Sequence, residues 1–156
     1  MAKLPKKLLI IVVDRDNDIG RKTGIETPIL GFEENLKAAQ ALLLSDPEEA
    51  DANAIFGALK LYRELSEKLG DNVEVATLAG EEGEGLEADM KIMKELDKVL
   101  EKFKADGCIL VSDGVTDQFI TPILSSKIPI ISVRRFVVRH SESVEQTWLI
   151  LGRYLK

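Results

Sequence analysis

The stretch Leu8-Leu9-Ile10-Ile11-Val12-Val13 is an unbroken apolar run that ends in the polar segment Asp14-Arg15-Asp16-Asn17-Asp18. A short apolar run bounded in this way is typical of a strand that is buried on both faces of a sheet. A second run, Cys108-Ile109-Leu110-Val111, ends in the same manner, in Ser112-Asp113-Gly114-Val115-Thr116-Asp117. The sequence therefore predicts acidic loops after two strands of one sheet.

Strands and helices alternate along the chain in the order expected of a parallel sheet with helices on both faces. We predict a single α/β domain over residues 1–156, a three-layer Rossmann-like fold with a mainly parallel sheet of about four to five strands. The right-handed crossover rule favours the strand order 2-1-3-4. The loop at 14–32 is long enough to suggest a function. The predicted strands are 8–13, 73–79, 107–111 and 129–133, the last of which could continue to 139, and the predicted helices are 33–44, 47–69, 86–103, 119–126 and 142–154.

In this strand order the first and third strands are neighbours, and a crevice opens beyond their carboxyl ends, where α/β folds usually bind ligands. Asp14 and Asp113 should meet there. Magnesium prefers oxygen ligands and commonly takes one or two protein carboxylates, with water and substrate phosphate completing its shell. The predicted Mg²⁺ ligands are Asp14, Asp16, Asp113 and Asp117. The alternative is a pair of solvated acidic loops that hold no ion.

Cationic and hydroxyl side chains near this crevice could bind an anion. The segment Arg21-Lys22-Thr23 lacks the residue order of a phosphate-binding P-loop, and it could equally be a basic turn that pairs with the neighbouring aspartates. An arginine after the fourth strand offers a rigid fork of donors for phosphate, although a structural ion pair is an alternative. The candidate ligand-binding residues are Arg15, Arg21, Lys22, Thr23, Ser112, Gly114 and Arg134.

Composition excludes several classes of function. The net charge of −6 argues against a nucleic-acid partner, because phosphate backbones bind through an excess of lysine and arginine. The single cysteine, Cys108, cannot form an intrachain disulfide, which favours a cytoplasmic location. The single histidine, His140, excludes a zinc site built from several histidines of one chain. An abundance of glutamate and lysine weakly favours a thermophilic source.

Four segments resemble the archaeal family called domain of unknown function 373: residues 13–24, 51–58, 110–114 and 131–135. That family has no established activity. Its members are predicted membrane proteins in which a soluble N-terminal portion precedes spanning helices. The resemblance implies that this chain lies at the cytoplasmic face of a membrane and reaches the membrane only through a missing C-terminal region.

The two acidic loops also show a weaker resemblance to haloacid-dehalogenase-like phosphotransferases. It implies that Asp14 is a nucleophile, Asp16 a general acid/base, and Asp113 and Asp117 metal ligands. The threonine or valine of that family's motif is replaced here by Asn17. Whether the protein is an enzyme therefore stays open.

We expect the domain to bind a divalent metal, Mg²⁺, and a phosphorylated or nucleotide-like small molecule at the carboxyl edge of the sheet. One alternative is a Mg²⁺-dependent phosphoryl transferase or phosphatase. Another is a dimerisation or partner-docking module, in which the last helix and Trp148 form the interface of a homodimer.

Overall fold

The computed structural model of the protein describes residues 5–83 and 85–136 and has an α/β fold. Strands and helices alternate along most of the described chain, and a single 3₁₀ turn at Gly70–Asn72 follows the longest helix. The strands are β1 (Leu8–Asp14), β2 (Ile29–Leu30), β3 (Val73–Ala79), β4 (Gly107–Ser112) and β5 (Ile130–Arg135), and the helices are α1 (Asp18–Thr23), α2 (Phe32–Ser45), α3 (Ala50–Leu69), α4 (Leu86–Lys102) and α5 (Asp117–Ser125).

The five strands form one mixed, mainly parallel sheet in the order β2-β3-β1-β4-β5. Strand β1 pairs in parallel with β3 and β4, β4 pairs in parallel with β5, and the two-residue β2 is antiparallel to β3. The order differs from the predicted 2-1-3-4 because β2, which lies inside the predicted loop, adds an edge strand beside β3. A two-residue strand is too short to leave a period-two pattern in the sequence.

The unbroken apolar run of β1 is explained by burial on both faces of the sheet. Leu8, Ile10 and Val12 pack in the hydrophobic cluster that includes α2 and α3, whereas Leu9 and Ile11 pack in the cluster that includes α4 and α5. All five side chains are at most 1% exposed. Burying side chains of this size stabilises a fold by about 1.5–3 kcal/mol each, so β1 is a main contributor to the core.

The strand register brings the carboxyl ends of β1, β3 and β4 to one edge of the sheet. Val12 pairs with Val111 of β4, and Asp14 pairs with Ala79 of β3. The segments that follow these three strands therefore leave the sheet side by side. Asp14 and Asp113 each lie two residues beyond a member of the Val12–Val111 pair, at the same edge.

One helix was not predicted, and the predicted start of another is wrong by three residues. Helix α1 lies inside the predicted loop, and α3 begins at Ala50 rather than at Pro47. The side chain of Asp46 accepts hydrogen bonds from Lys22 Nζ at 2.9 Å and from Glu48 N at 3.1 Å, and its backbone N–H closes the end of α2. The predicted helix 142–154, the strand extension to 139, His140 and Trp148 lie outside the described residues.

Candidate metal centre and its cavity

Asp14 is the last residue of β1, and its side chain is fully buried. Its Oδ2 accepts a hydrogen bond from the backbone N–H of Ile19 at 2.8 Å, which ties the strand to the start of α1. Its Oδ1 is also buried and has no hydrogen-bond partner within residues 5–83 and 85–136. An ionised carboxylate oxygen without a partner is costly to bury, so this atom requires a cation or a proton.

Four aspartates converge at this point. One carboxylate oxygen from each of Asp14, Asp16, Asp18 and Asp51 lies within 4.8 Å of the others. Oxygens bound to one Mg²⁺ or Ca²⁺ lie about 2.0–2.6 Å from the ion and therefore up to roughly 4–5 Å from one another. The cluster is thus compact enough for its four oxygens to share a single divalent cation.

A tight turn after β1 places Asp16 and Asp18 beside Asp14. Asn17 adopts the left-handed conformation, with φ 58° and ψ 46°, and its side chain accepts a hydrogen bond from Gly20 N at 3.0 Å. Asparagine tolerates this conformation better than most residues. The chain therefore reverses within a few residues, and Asp18 begins α1 rather than continuing away from the sheet.

Burial and mutual repulsion raise the pKa values of two members of the cluster, Asp14 and Asp51. Burial raises the pKa of Asp14 to about 7, against the opposing effect of the hydrogen bond from Ile19, and the nearby charge of Asp16 adds to the increase. Burial also raises the pKa of Asp51 to about 10, with a further contribution from the charge of Asp14. A bound divalent cation would reverse both effects, since it favours the ionised form of each carboxyl group.

A cavity of about 430 Å³ opens beside the cluster, at the carboxyl edge of the sheet. Volumes of this size accommodate small-molecule ligands. Two arginines, Arg15 and Arg21, line it together with a larger number of carboxylates. The acidic lining comes from the segments that follow β1, β3 and β4 and from the starts of α3 and α5. It includes Asp16, Asp51, Glu81, Glu82, Asp113 and Asp117.

The structure brings the two predicted acidic loops to one cavity but does not gather all four predicted metal ligands. Asp14 and Asp16 belong to the four-aspartate cluster, whereas Asp113 and Asp117 line the cavity outside it. Asp113 Oδ1 accepts a hydrogen bond from Val115 N at 3.0 Å, and Asp117 Oδ2 accepts one from Arg135 Nε at 3.0 Å. A role for Asp113 and Asp117 in metal binding stays a prediction.

The predicted ligand-binding residues divide into two groups. Arg15, Arg21 and Ser112 line the cavity. The other four, Lys22, Thr23, Gly114 and Arg134, are not among the described lining residues.

Local contacts account for several of the residues outside the cavity. Lys22 pairs with Asp46 and Glu49, and its hydrogen bonds to these carboxylates raise its pKa. Thr23 Oγ1 donates to the carbonyl of Ile19 at 2.5 Å. Arg134 is exposed on β5. These residues therefore have structural or surface positions, and a contact with ligand stays a prediction for each.

Two members of the cluster, Asp18 and Asp51, were not predicted as metal ligands from the sequence, and Asp51 lies farthest along the chain from the others. It lies in the first turn of α3, four residues before the buried Ile55, so it is in register with the buried side of the helix. Acidic residues in a first turn are common, because they interact favourably with the helix dipole. An interaction with the helix dipole does not require a carboxylate on the buried side of the helix. The register of Asp51 with Ile55 was therefore the signal in the sequence that could have indicated a further role for Asp51.

Gly80, directly after β3, holds the ends of β1 and β3 together. Its N–H donates to the carbonyl of Asp14 at 3.0 Å, and a Cβ at this position would lie 2.1 Å from the carbonyl oxygen of Arg15. The obstacle is backbone rather than a flexible side chain, so the two strand ends would have to separate. We expect Gly80→Ala to lower the free energy of unfolding by about 1–3 kcal/mol, which urea denaturation would measure.

A matched control for this substitution is Gly24→Ala, in which the new Cβ meets nothing within 4 Å but the backbone has a positive φ of 74°. That variant reports the cost of a Cβ at a strained backbone conformation without a clash, which is about 1–2 kcal/mol. A stability of Gly80→Ala within about 0.5 kcal/mol of the wild type would contradict the steric explanation.

Comparison with known proteins places the chain among archaeal sequences. The family model described as Domain of unknown function (DUF373) matches residues 7–156. An uncharacterised protein of Archaeoglobus fulgidus is 42% identical over 152 residues, and an uncharacterised protein of Methanocaldococcus jannaschii is 41% identical over 152 residues. Each alignment covers 97% of this chain but only 44% and 41% of the respective relative. The chain therefore spans less than half the length of these relatives.

No solved structure matches the chain. Within the described residues, every helix is either too short or too polar to cross a membrane.

Proposed function

The chain belongs to the DUF373 family, and from that premise we propose that it binds a divalent cation, preferably Mg²⁺, and through the cation a phosphorylated or nucleotide-like small molecule. The cation occupies the cluster of Asp14, Asp16, Asp18 and Asp51, and the small molecule occupies the adjoining cavity. The domain acts as the binding portion of a longer, membrane-associated protein in the cytoplasm. No nucleic acid is expected as a partner.

One observation is the main support for the proposed cation site. The buried Oδ1 of Asp14 has no hydrogen-bond partner in the described part of the chain, and three further carboxylates lie within reach of the same point. Carboxylates this close repel one another and lose hydration, so the arrangement without a cation is destabilising unless protons are taken up. A hard cation with oxygen ligands compensates both effects at once.

The position of the cavity supports the proposal of a phosphorylated ligand. Magnesium commonly binds proteins through one or two carboxylates and completes its shell with water and substrate phosphate. Asp16, Asp18 and Asp51 line the cavity as well as belonging to the cluster, so a ligand in the cavity could reach the ion. The excess of carboxylates in the lining makes binding of an anion dependent on the metal.

Binding is favoured over catalysis by the position of Asp14. A nucleophile must reach the phosphorus atom of its substrate. Asp14 is fully buried and is not among the residues that line the cavity. The proposal therefore assigns Asp14 to the ion rather than to a covalent phosphoryl intermediate.

Isothermal titration with Mn²⁺ and Mg²⁺ tests the cation site. We expect one high-affinity site per chain in the wild-type protein, and a loss of at least about tenfold in affinity for Asp16→Asn, because this variant removes one charged ligand. Asp113→Asn is the matched control, since it changes the same functional group in the same cavity but outside the cluster. Equal losses in the two variants would show that the ion lies between the two strand ends, as the sequence analysis predicted, rather than in the four-aspartate cluster.

A further inference from the structure

Arg15 has an unusual environment at the edge of the cavity. Its Nη2 donates a long hydrogen bond of 3.3 Å to Asp89 Oδ1, and the guanidinium carbon lies 4.9 Å from the ring centroid of Phe119. Its Nε is buried and has no acceptor among the described residues. The guanidinium is therefore held by the contact with Phe119 and one hydrogen bond, and most of its donors have no partner among residues 5–83 and 85–136.

The other cationic groups near the cavity are paired with carboxylates of the cavity itself. Arg21 pairs with Asp18, Lys22 with Glu49, and Arg135 with Asp117. The partner of Arg15, Asp89, is not among the described residues that line the cavity. Arg15 is thus the cationic group near the cavity whose N–H donors are most available for hydrogen bonds to an anionic ligand.

Two exposed apolar side chains lie at or beside the cavity: Val115 is a lining residue, and Phe119, which is not, contacts Arg15. Val115 lines the cavity and is 75% exposed, and Phe119, on which the guanidinium stacks, is 49% exposed. Both follow β4, and α5, to which Phe119 belongs, packs on the face of the sheet opposite to α1 and α3. Ligand cavities commonly combine apolar walls with a few charged groups that fix the orientation of the ligand.

We propose that the small molecule is a nucleotide. Its phosphate lies between the metal ion and the guanidinium of Arg15, and its base lies against Val115 and Phe119. This inference rests on the proposed cation site, because a phosphate would be repelled by the carboxylates of the cavity without the ion. Arginine matches the geometry of phosphate with a rigid fork of donors, and aromatic side chains stack on bases.

The experiment is a calorimetric titration of the Mn²⁺-saturated protein with AMP, ribose 5-phosphate and inorganic phosphate. We expect AMP to bind at least about tenfold more tightly than ribose 5-phosphate, because only AMP presents a base to the apolar wall. Arg15→Gln should weaken AMP binding by at least about tenfold while Mn²⁺ affinity is retained or slightly increased, since a positive charge near the ion is removed. Arg63→Gln, which removes the same charge from the exposed surface of α3, should leave both affinities unchanged.

Phe119→Leu separates the two parts of the site. It keeps an apolar side chain but removes the aromatic ring, so the preference for AMP over ribose 5-phosphate should fall. Binding of Mn²⁺ without any binding of AMP, or unchanged AMP affinity in Arg15→Gln, would overturn this inference and leave the cation site intact. A wild-type protein that binds no Mn²⁺ would overturn the cation site and this inference with it.

Discussion

Replacing Asp14 with asparagine is expected to raise the stability of the metal-free protein at pH 8 by about 1–3 kcal/mol and to abolish its stabilisation by Mg²⁺. The reason is that Asp14 is fully buried, its Oδ1 lacks a partner within the described chain, and Asp16 and Asp51 lie beside it. Asparagine removes the buried charge and retains an oxygen that can accept the hydrogen bond from Ile19. Thermal unfolding with and without 10-fold excess Mg²⁺ over the dissociation constant measures both effects, and binding should stabilise the wild-type protein by roughly 1.4 kcal/mol.

The control for this prediction is Asp97→Asn. Asp97 is exposed and pairs with Lys127 on the protein surface, so its replacement should change the stability little and leave the effect of Mg²⁺ intact. A Mg²⁺-dependent increase in the melting temperature of Asp14→Asn equal to that of the wild type would place the ion elsewhere.

The second large effect is a loss of stability of the metal-free protein as the pH rises. The pKa of Asp14 is raised to about 7 and that of Asp51 to about 10, both mainly by burial, from an ordinary value of 3.8. The folded protein therefore binds more protons than the unfolded chain above pH 4, and the free energy of unfolding falls with increasing pH. Each group contributes up to roughly 1.4 kcal/mol per pH unit, from about pH 4 to 7 for Asp14 and further into the alkaline range for Asp51.

Saturating Mg²⁺ should remove most of this dependence, because the ion favours the ionised carboxylates in the folded state. Urea denaturation at several pH values between 5 and 9, with EDTA or with Mg²⁺, tests the prediction. The range begins at pH 5 because the pKa values of Asp46 and Glu49 are lowered. Their contributions to stability are lost only as the pH falls below the ordinary range for these groups. A metal-free stability that is constant or rises between pH 5 and 8 would contradict the assigned burial of the two aspartates.

Much of the framework could be predicted from the sequence, because it depends on local patterns. The four longer strands are read from apolar runs, and the run Leu8–Val13 indicates burial on both faces without reference to any partner. The acidic loops after β1 and β4 were placed at one edge of the sheet, where both line one cavity. The two-residue β2 and the six-residue α1 were not predicted, because elements this short leave too few residues to show a periodicity.

The composition of the candidate centre could be predicted only in part. Asp14 and Asp16 follow directly from the end of a strand. Asp18 was assigned to a loop, because nothing in the sequence required Asn17 to adopt a left-handed turn. Asp51 lies 37 positions after Asp14, and its proximity depends on how α3 packs across the sheet.

The sequence by itself determined the α/β class, the central buried strand and the edge of the sheet at which polar groups collect. Each of these depends only on which side chains along the chain are apolar and must be buried away from water. Only the tertiary structure decided which carboxylates share one point. That convergence depends on the turn at Asn17 and on the position of α3, which are set by packing between distant segments. Proximity in space arises from these contacts, and no spacing along the chain encodes it.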